Sequence, residues 1–165
     1  MAKSIKDLLL EEMQDIYHAE QQLTQALPKM AQAATSPQLR QAFETHLQET
    51  QNQIQRLNQA FQAIGEQPKG KTCEAMQGLV SEAEELLQEG LPGELQDAGL
   101  IVAAQKVEHY EIAGYGSLVA LAQACNLTDA ARLFNETLSE EKATDEKLTQ
   151  LACNEINPKA TQAAA

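Results

Sequence analysis

The sequence predicts an all-α fold, an antiparallel four-helix bundle whose long crossover carries a short fifth helix. Three observations predict it. Alanine, leucine, glutamine and glutamate dominate the 165 residues, a composition that favours helix. Aromatics are only 4%, Trp is absent and Val and Ile are scarce, so a large sheet has little to build from. Apolar residues recur at three- and four-residue spacing over stretches of about 30 residues. At this length the expectation is one domain, 1–165.

The first helix is expected at about 4–34, with Ser4 as cap and Asp7 three residues on in a capping-box arrangement. Its apolar positions are Ile5, Leu9, Ile16, Leu23, Leu27 and Met30, and Pro28 inside them should kink the helix or be absorbed by a bend. Thr35-Ser36-Pro37 breaks the chain and restarts it, Ser as N-cap and Pro at the first helical position. The second helix, about 37–64, carries Phe43, Leu47, Thr50, Ile54, Leu57, Phe61 and Ile64 on its seam and ends at Gly65. A connection too long for a tight turn follows. Within it a shorter helix, about 72–90, is capped by Thr72 and closed by Gly90. Such a crossover lets the next long helix, about 92–125, run parallel to the second, which is a ferritin-like topology rather than a simple up-down one. Asn126-Leu127-Thr128 then turns the chain into a last helix, about 128–156, with Thr128 as cap. Asn157-Pro158 should stop it and leave 157–165 frayed.

The formal charge is −12 and the isoelectric point about 4.6. Nucleic acid and anionic membrane surfaces would meet a repelling field, whereas metal cations suit such a chain. Near the N-terminus the apolar run is only Leu8 to Leu10, too short for a secretory signal or a membrane span, so a cytoplasmic location is expected. Cys73, Cys125 and Cys153 are odd in number with no C-x-x-C spacing, which reads as reduced thiols without a zinc site.

An offset of 91 residues superposes the first two long helices on the last two without a gap. It aligns Ile16 with Val107, His18 with His109, Phe43 with Phe134, Leu57 with Leu148 and Arg56 with Lys147. The same shift places Glu20 on Glu111 and Glu49 on Glu140. On a helical wheel Glu20 and Glu111 lie on inward stripes, as do Glu141 and Asp145 on the seam of Phe134, Leu138 and Leu148. Glu49 and Glu140 fall on the flanks of their seams, roughly 120° away. Counted from the turns, the four matched glutamates stand at one depth, mid-bundle. An unpaired buried carboxylate costs several kcal/mol, and three remedies exist: shared protons, basic partners, or a bound cation.

The segments DIYHAEQQLTQALPKMA, AFETHLQETQNQIQRL, KTCEAMQGL, AAQKVEHYEIAGYGSL and LSEEKATDEKLTQLA resemble the YciF/YciE family of bacterial stress proteins over nearly the whole chain. The resemblance implies a ferritin-like domain, a homodimer, a cytoplasmic location, a link to stress responses and a dinuclear iron site. Carried over residue by residue, that site would use Glu20, Glu49, Glu111 and Glu140, supplemented by His46 and Glu108, with Asp145 a further candidate on its seam. One departure stands out. Di-iron bundles place Glu-x-x-His on two helices, whereas this chain has the reverse, His46-x-x-Glu49, and no histidine on its last helix. The donor set is nearly all oxygen, which suits harder cations and weakens the case for ferroxidase chemistry, and it leaves manganese, or no metal, open beside iron.

Two functions follow. One is a metal-binding carboxylate protein with iron, oxygen or peroxide chemistry. The other is a non-enzymatic helical stress protein whose acids share protons or hold one structural ion. Plainer roles are expected elsewhere: His18 and His109 facing away from the seam, Tyr17, Tyr110 and Tyr115 packed with bonded hydroxyls, and Cys73 packed on the short helix.

Overall fold

The structure, a computed structural model, describes residues 3–163. Four long helices form the bundle: α1 (Ile5–Ala33), α2 (Pro37–Ala63), α4 (Gly93–Ala124) and α5 (Thr128–Leu151), with the shorter α3 (Glu74–Gln88) on the crossover. Helix α1 pairs with α2 and α4 with α5 as antiparallel hairpins, and the hairpins dock through α2 on α5 and α1 on α4. The expected ferritin-like bundle is the observed one.

Local chemistry sets the ends. Ser4 Oγ accepts from Asp7 N–H, and Ser36 Oγ accepts from Leu39 N–H with Pro37 opening α2. Helix α1 continues unbroken through Pro28. Gly65 and Gly90 adopt φ of +80° and +65°, the left-handed region glycine favours, and Asn126 does so at +57° after α4. Two expected caps differ. Cys73, not Thr72, caps α3 through its Sγ, and Thr128 lies inside α5 behind Leu127, whose side chain offers no acceptor. Asn157-Pro158 does not stop the last helix. The chain passes through a π-helical turn (Ala152–Ile156) into α6 (Asn157–Ala163), because the extra residue of the π turn absorbs Pro158 near the start of a new segment. Of the tail expected to fray, residues 164 and 165 lie outside the described residues.

Asp97 fixes the crossover. Buried near the start of α4, it accepts from Thr35 N–H at 2.8 Å, Thr35 Oγ1 at 2.6 Å and Ser36 N–H at 2.8 Å. The first turn of α4 is thereby tied to the α1–α2 turn, which makes α4 parallel to α2. One continuous core runs through all four long helices, from Leu9 and Met13 to Phe43, Phe61, Leu100, Tyr115 and Phe134. Ile5, expected on the α1 seam, is 52% exposed, and Leu9 starts the buried stripe instead. No helix among the described residues is long and apolar enough to cross a membrane.

Candidate metal centre

A polar layer interrupts the core at mid-height, and all four long helices contribute to it. His46 of α2, Glu108 and Glu111 of α4, and Glu141 of α5 each offer an atom within 4.8 Å of the others'. Glu108 and Glu111 are three residues apart, one turn of the same helix face. Glu20 of α1 closes the layer, near enough to feel the charge of Glu108 and to press its own on Glu111. All five side chains are buried; the most exposed, His46, is at 3%.

Protein groups satisfy only part of this layer. The Tyr115 hydroxyl donates to Glu20 Oε1, and the Gln53 amide donates to Glu141 Oε1. Among the described residues, both oxygens of Glu111, one each of Glu20, Glu108 and Glu141, and both ring nitrogens of His46 have no hydrogen-bond partner. His46 Nε2 does lie 3.1 Å from Glu108 Oε1, but outside hydrogen-bond geometry. So many orphaned acceptors in one place is unusual, since buried polar atoms are nearly always paired.

The electrostatics follow from burial. Desolvation raises the Glu20 carboxyl from 4.5 to about 8, against the pull of the Tyr115 hydrogen bond and the His46 charge. Burial pushes Glu111 and Glu141 well above the carboxylate range, and neighbouring glutamates push them further. For His46 burial acts downward, yet Glu108, Glu49 and Glu141 together outweigh it and hold the imidazole well above its ordinary value. Tyr115 is driven up by burial and by Glu20, so it stays a donor. These groups must hold protons or a cation.

The donor set fits a metal. Four carboxylates and one imidazole are hard to borderline ligands, suited to iron(II) or manganese(II) rather than to soft ions. Four negative charges also balance two divalent cations.

The structure brings Glu20, Glu111, Glu108 and His46 together and leaves three other candidates apart. Glu140 turns away, held by Arg56 through Nη1–Oε2 and Nη2–Oε1 contacts of 2.9 and 2.8 Å. Asp145 faces α4, accepting from Gln105 Nε2 at 3.1 Å with His109 Nε2 at 3.3 Å. Glu49 sits on the rim, its side chain 36% exposed, with Oε2 3.6 Å from His46 Nδ1. The contact from His46 holds its carboxyl below the ordinary value. Glu141, one residue beyond the candidate Glu140, supplies the α5 acid. Its place on the Phe134–Leu148 seam was the signal for it. His18 differs from its plain reading, whereas Tyr110 and Tyr115 are packed with bonded hydroxyls as expected. His18 is half-buried and accepts from Cys73 N–H at 3.1 Å against the crossover, and Tyr110 OH meets Cys73 Sγ at 3.0 Å.

Fold and site together define a ferritin-like helical bundle with a carboxylate-rich buried centre. The chain belongs to the family described as "Domain of unknown function (DUF892)", whose profile matches residues 4–161. It is 49% identical over 159 residues to protein YciF of Escherichia coli K12, covering 96% of each chain. The crystal structure of that stress protein superposes with a TM-score of 0.91 at 48% identity, over 94% of this chain and 99% of that one. YcfI of Rhodopseudomonas palustris matches with a TM-score of 0.87 at 46% identity, over 89% and 94%. A Xanthomonas campestris protein, 21% identical over 89% of both chains, shares the fold at a TM-score of 0.71.

Proposed function

We propose that this chain is a stress-family protein that binds divalent metal in its bundle, with Glu20, His46, Glu108, Glu111 and Glu141 as ligands and a dinuclear iron site as the leading occupant. The observation that carries the reading is the set of orphaned carboxylate oxygens and imidazole nitrogens in one buried layer. Iron bound there would supply redox chemistry toward oxygen or peroxide. The protein's own part is to hold the ions, keep Glu20 oriented through Tyr115 and exclude water from the layer.

The test is thermal unfolding of chelator-treated protein with added Fe(II) under argon or Mn(II) in air. A ligand at about 100 times its Kd should stabilise by about 2.7 kcal/mol, and Glu111→Gln should remove most of that gain. Equal melting temperatures with and without either ion would sink the reading. A second reading is favoured by the raised carboxyls: the layer is held by shared protons and serves only the architecture. On that reading Glu111→Gln stabilises the protein and metal leaves its melting temperature unchanged.

A further inference from the structure

The internal repeat relates two ends of the α2–α5 interface, and the two ends are built differently. The offset of 91 pairs Arg56 with Lys147, Glu140 with Glu49, Thr137 with His46, and Gln53 with Thr144. At the first end Arg56 makes its two contacts to Glu140 and a third, of 2.8 Å, to Thr137 Oγ1, while Nε stands 3.3 Å from Glu136. Gln53 adds a bond of 3.1 Å to Glu140 and reaches on to Glu141. A planar guanidinium fork fills that end and seals it.

At the other end lysine stands where arginine would close the fork. Among the described residues Glu49 is held by Thr144 Oγ1 at 3.4 Å and by the longer contact to His46, with the charge of Lys147 acting on it without a fork of hydrogen bonds. There a cavity of about 100 Å³ opens from the surface, and His46, Glu49, Glu108, Thr144 and Lys147 line it. It has room for a few waters. Its inner wall is thus formed by two members of the buried layer, including His46, whose ring nitrogens approach Glu108 and Glu49 but complete no hydrogen bond among the described residues.

We propose that this cavity is the portal through which a divalent cation reaches the centre. Glu49 is its capture residue at the mouth, and His46 is the first internal donor to replace water on the ion. Lys147 leaves the portal open because a point ammonium on a flexible stem does not bridge Glu49 as Arg56 bridges Glu140. The inference rests on the metal-binding reading above and adds to it an assignment for Glu49 that is kinetic, not structural.

Stopped-flow mixing of chelator-treated full-length protein with Co(II), read by its visible absorption, tests this. Glu49→Gln should slow loading about tenfold while the final absorbance and stoichiometry match the parent. Lys147→Arg should slow it comparably by closing the fork. Arg56→Lys, which relaxes the sealed end, should not slow it at all. Parent-like rates in both Glu49→Gln and Lys147→Arg would overturn the portal while leaving metal binding intact. So would a lost equivalent of Co(II) in Glu49→Gln, since Glu49 would then be a ligand. No Co(II) uptake by the parent protein would overturn both the portal and the centre it serves.

Discussion

Each glutamate of the buried layer is chemically ordinary, and its behaviour comes from position alone. In the unfolded chain such a carboxyl titrates near 4.5, whereas in the bundle Glu20 titrates near 8 and Glu111 and Glu141 are also raised. Between those values the folded metal-free protein binds more protons than the unfolded one, so its stability falls as pH rises. The raised His46 acts in the same direction. Depressed Glu49 acts the other way, but near its own lower pKa and from a half-exposed place. Melting temperatures measured in chelator should therefore decline by several degrees from about pH 5 to about pH 8, and Glu20→Gln should flatten the decline. A rising or level profile for the parent would contradict this.

At the scale of elements, helix order and the topology of the crossover were legible because apolar spacing and Gly, Pro and Ser punctuation carry them. The polar layer was harder to read for the same reason. Counting apolar residues on α2 gives a seam through Leu47 and Ile54, yet both are only half-buried, while His46 and Gln53, which that seam left out, are buried beside Thr50. The true inward face is turned by roughly 50° at 100° per residue, toward polar residues that apolar counting cannot reward. On α5 the same bias favoured Glu140 through its repeat partner Glu49, although Glu141 is the residue on the inward face. The repeat offset matched acids by position, and the structure shows that the matched pair Glu49 and Glu140 forms the flanks. Asp97 was invisible in the sequence, since its three partners lie about sixty positions away, in the α1–α2 turn. Asp97→Ala strands two backbone N–H groups, that of Ser36 buried, and should cost about 3 kcal/mol in urea unfolding. A loss under about 0.5 kcal/mol, the size of an ordinary surface change, would show that the clasp is not what holds the crossover.

For the whole molecule the division of labour between hairpins has a kinetic consequence. Helices α1 and α2 hold Glu20 and His46, and α4 and α5 hold Glu108, Glu111 and Glu141. Each hairpin can form from contacts near in sequence, whereas the complete layer exists only after the hairpins dock across the crossover. A bound ion would then stabilise an arrangement completed after the rate-limiting step. Saturating Mn(II) should slow unfolding by about the full equilibrium stabilisation and leave the refolding rate within about twofold of the chelated value. Faster refolding in proportion to the ion would mean that the layer assembles in the transition state.

The π-helical turn at Ala152–Ile156 ends the chain with a shift of register rather than a stop. Its carbonyls bond one residue farther along than those of α5, so α6 leaves the bundle axis rotated by about a third of a turn. That rotation carries the last segment sideways onto α4. Ile156 is buried there, and Glu155 comes within 3.3 Å of Ser36, the cap of α2. The segment of Glu155 and Ile156 thus works as a latch beside the turn that Asp97 secures. Chain loss beyond Leu151 would remove a second fastening from the same spot and not merely trim a loose tail.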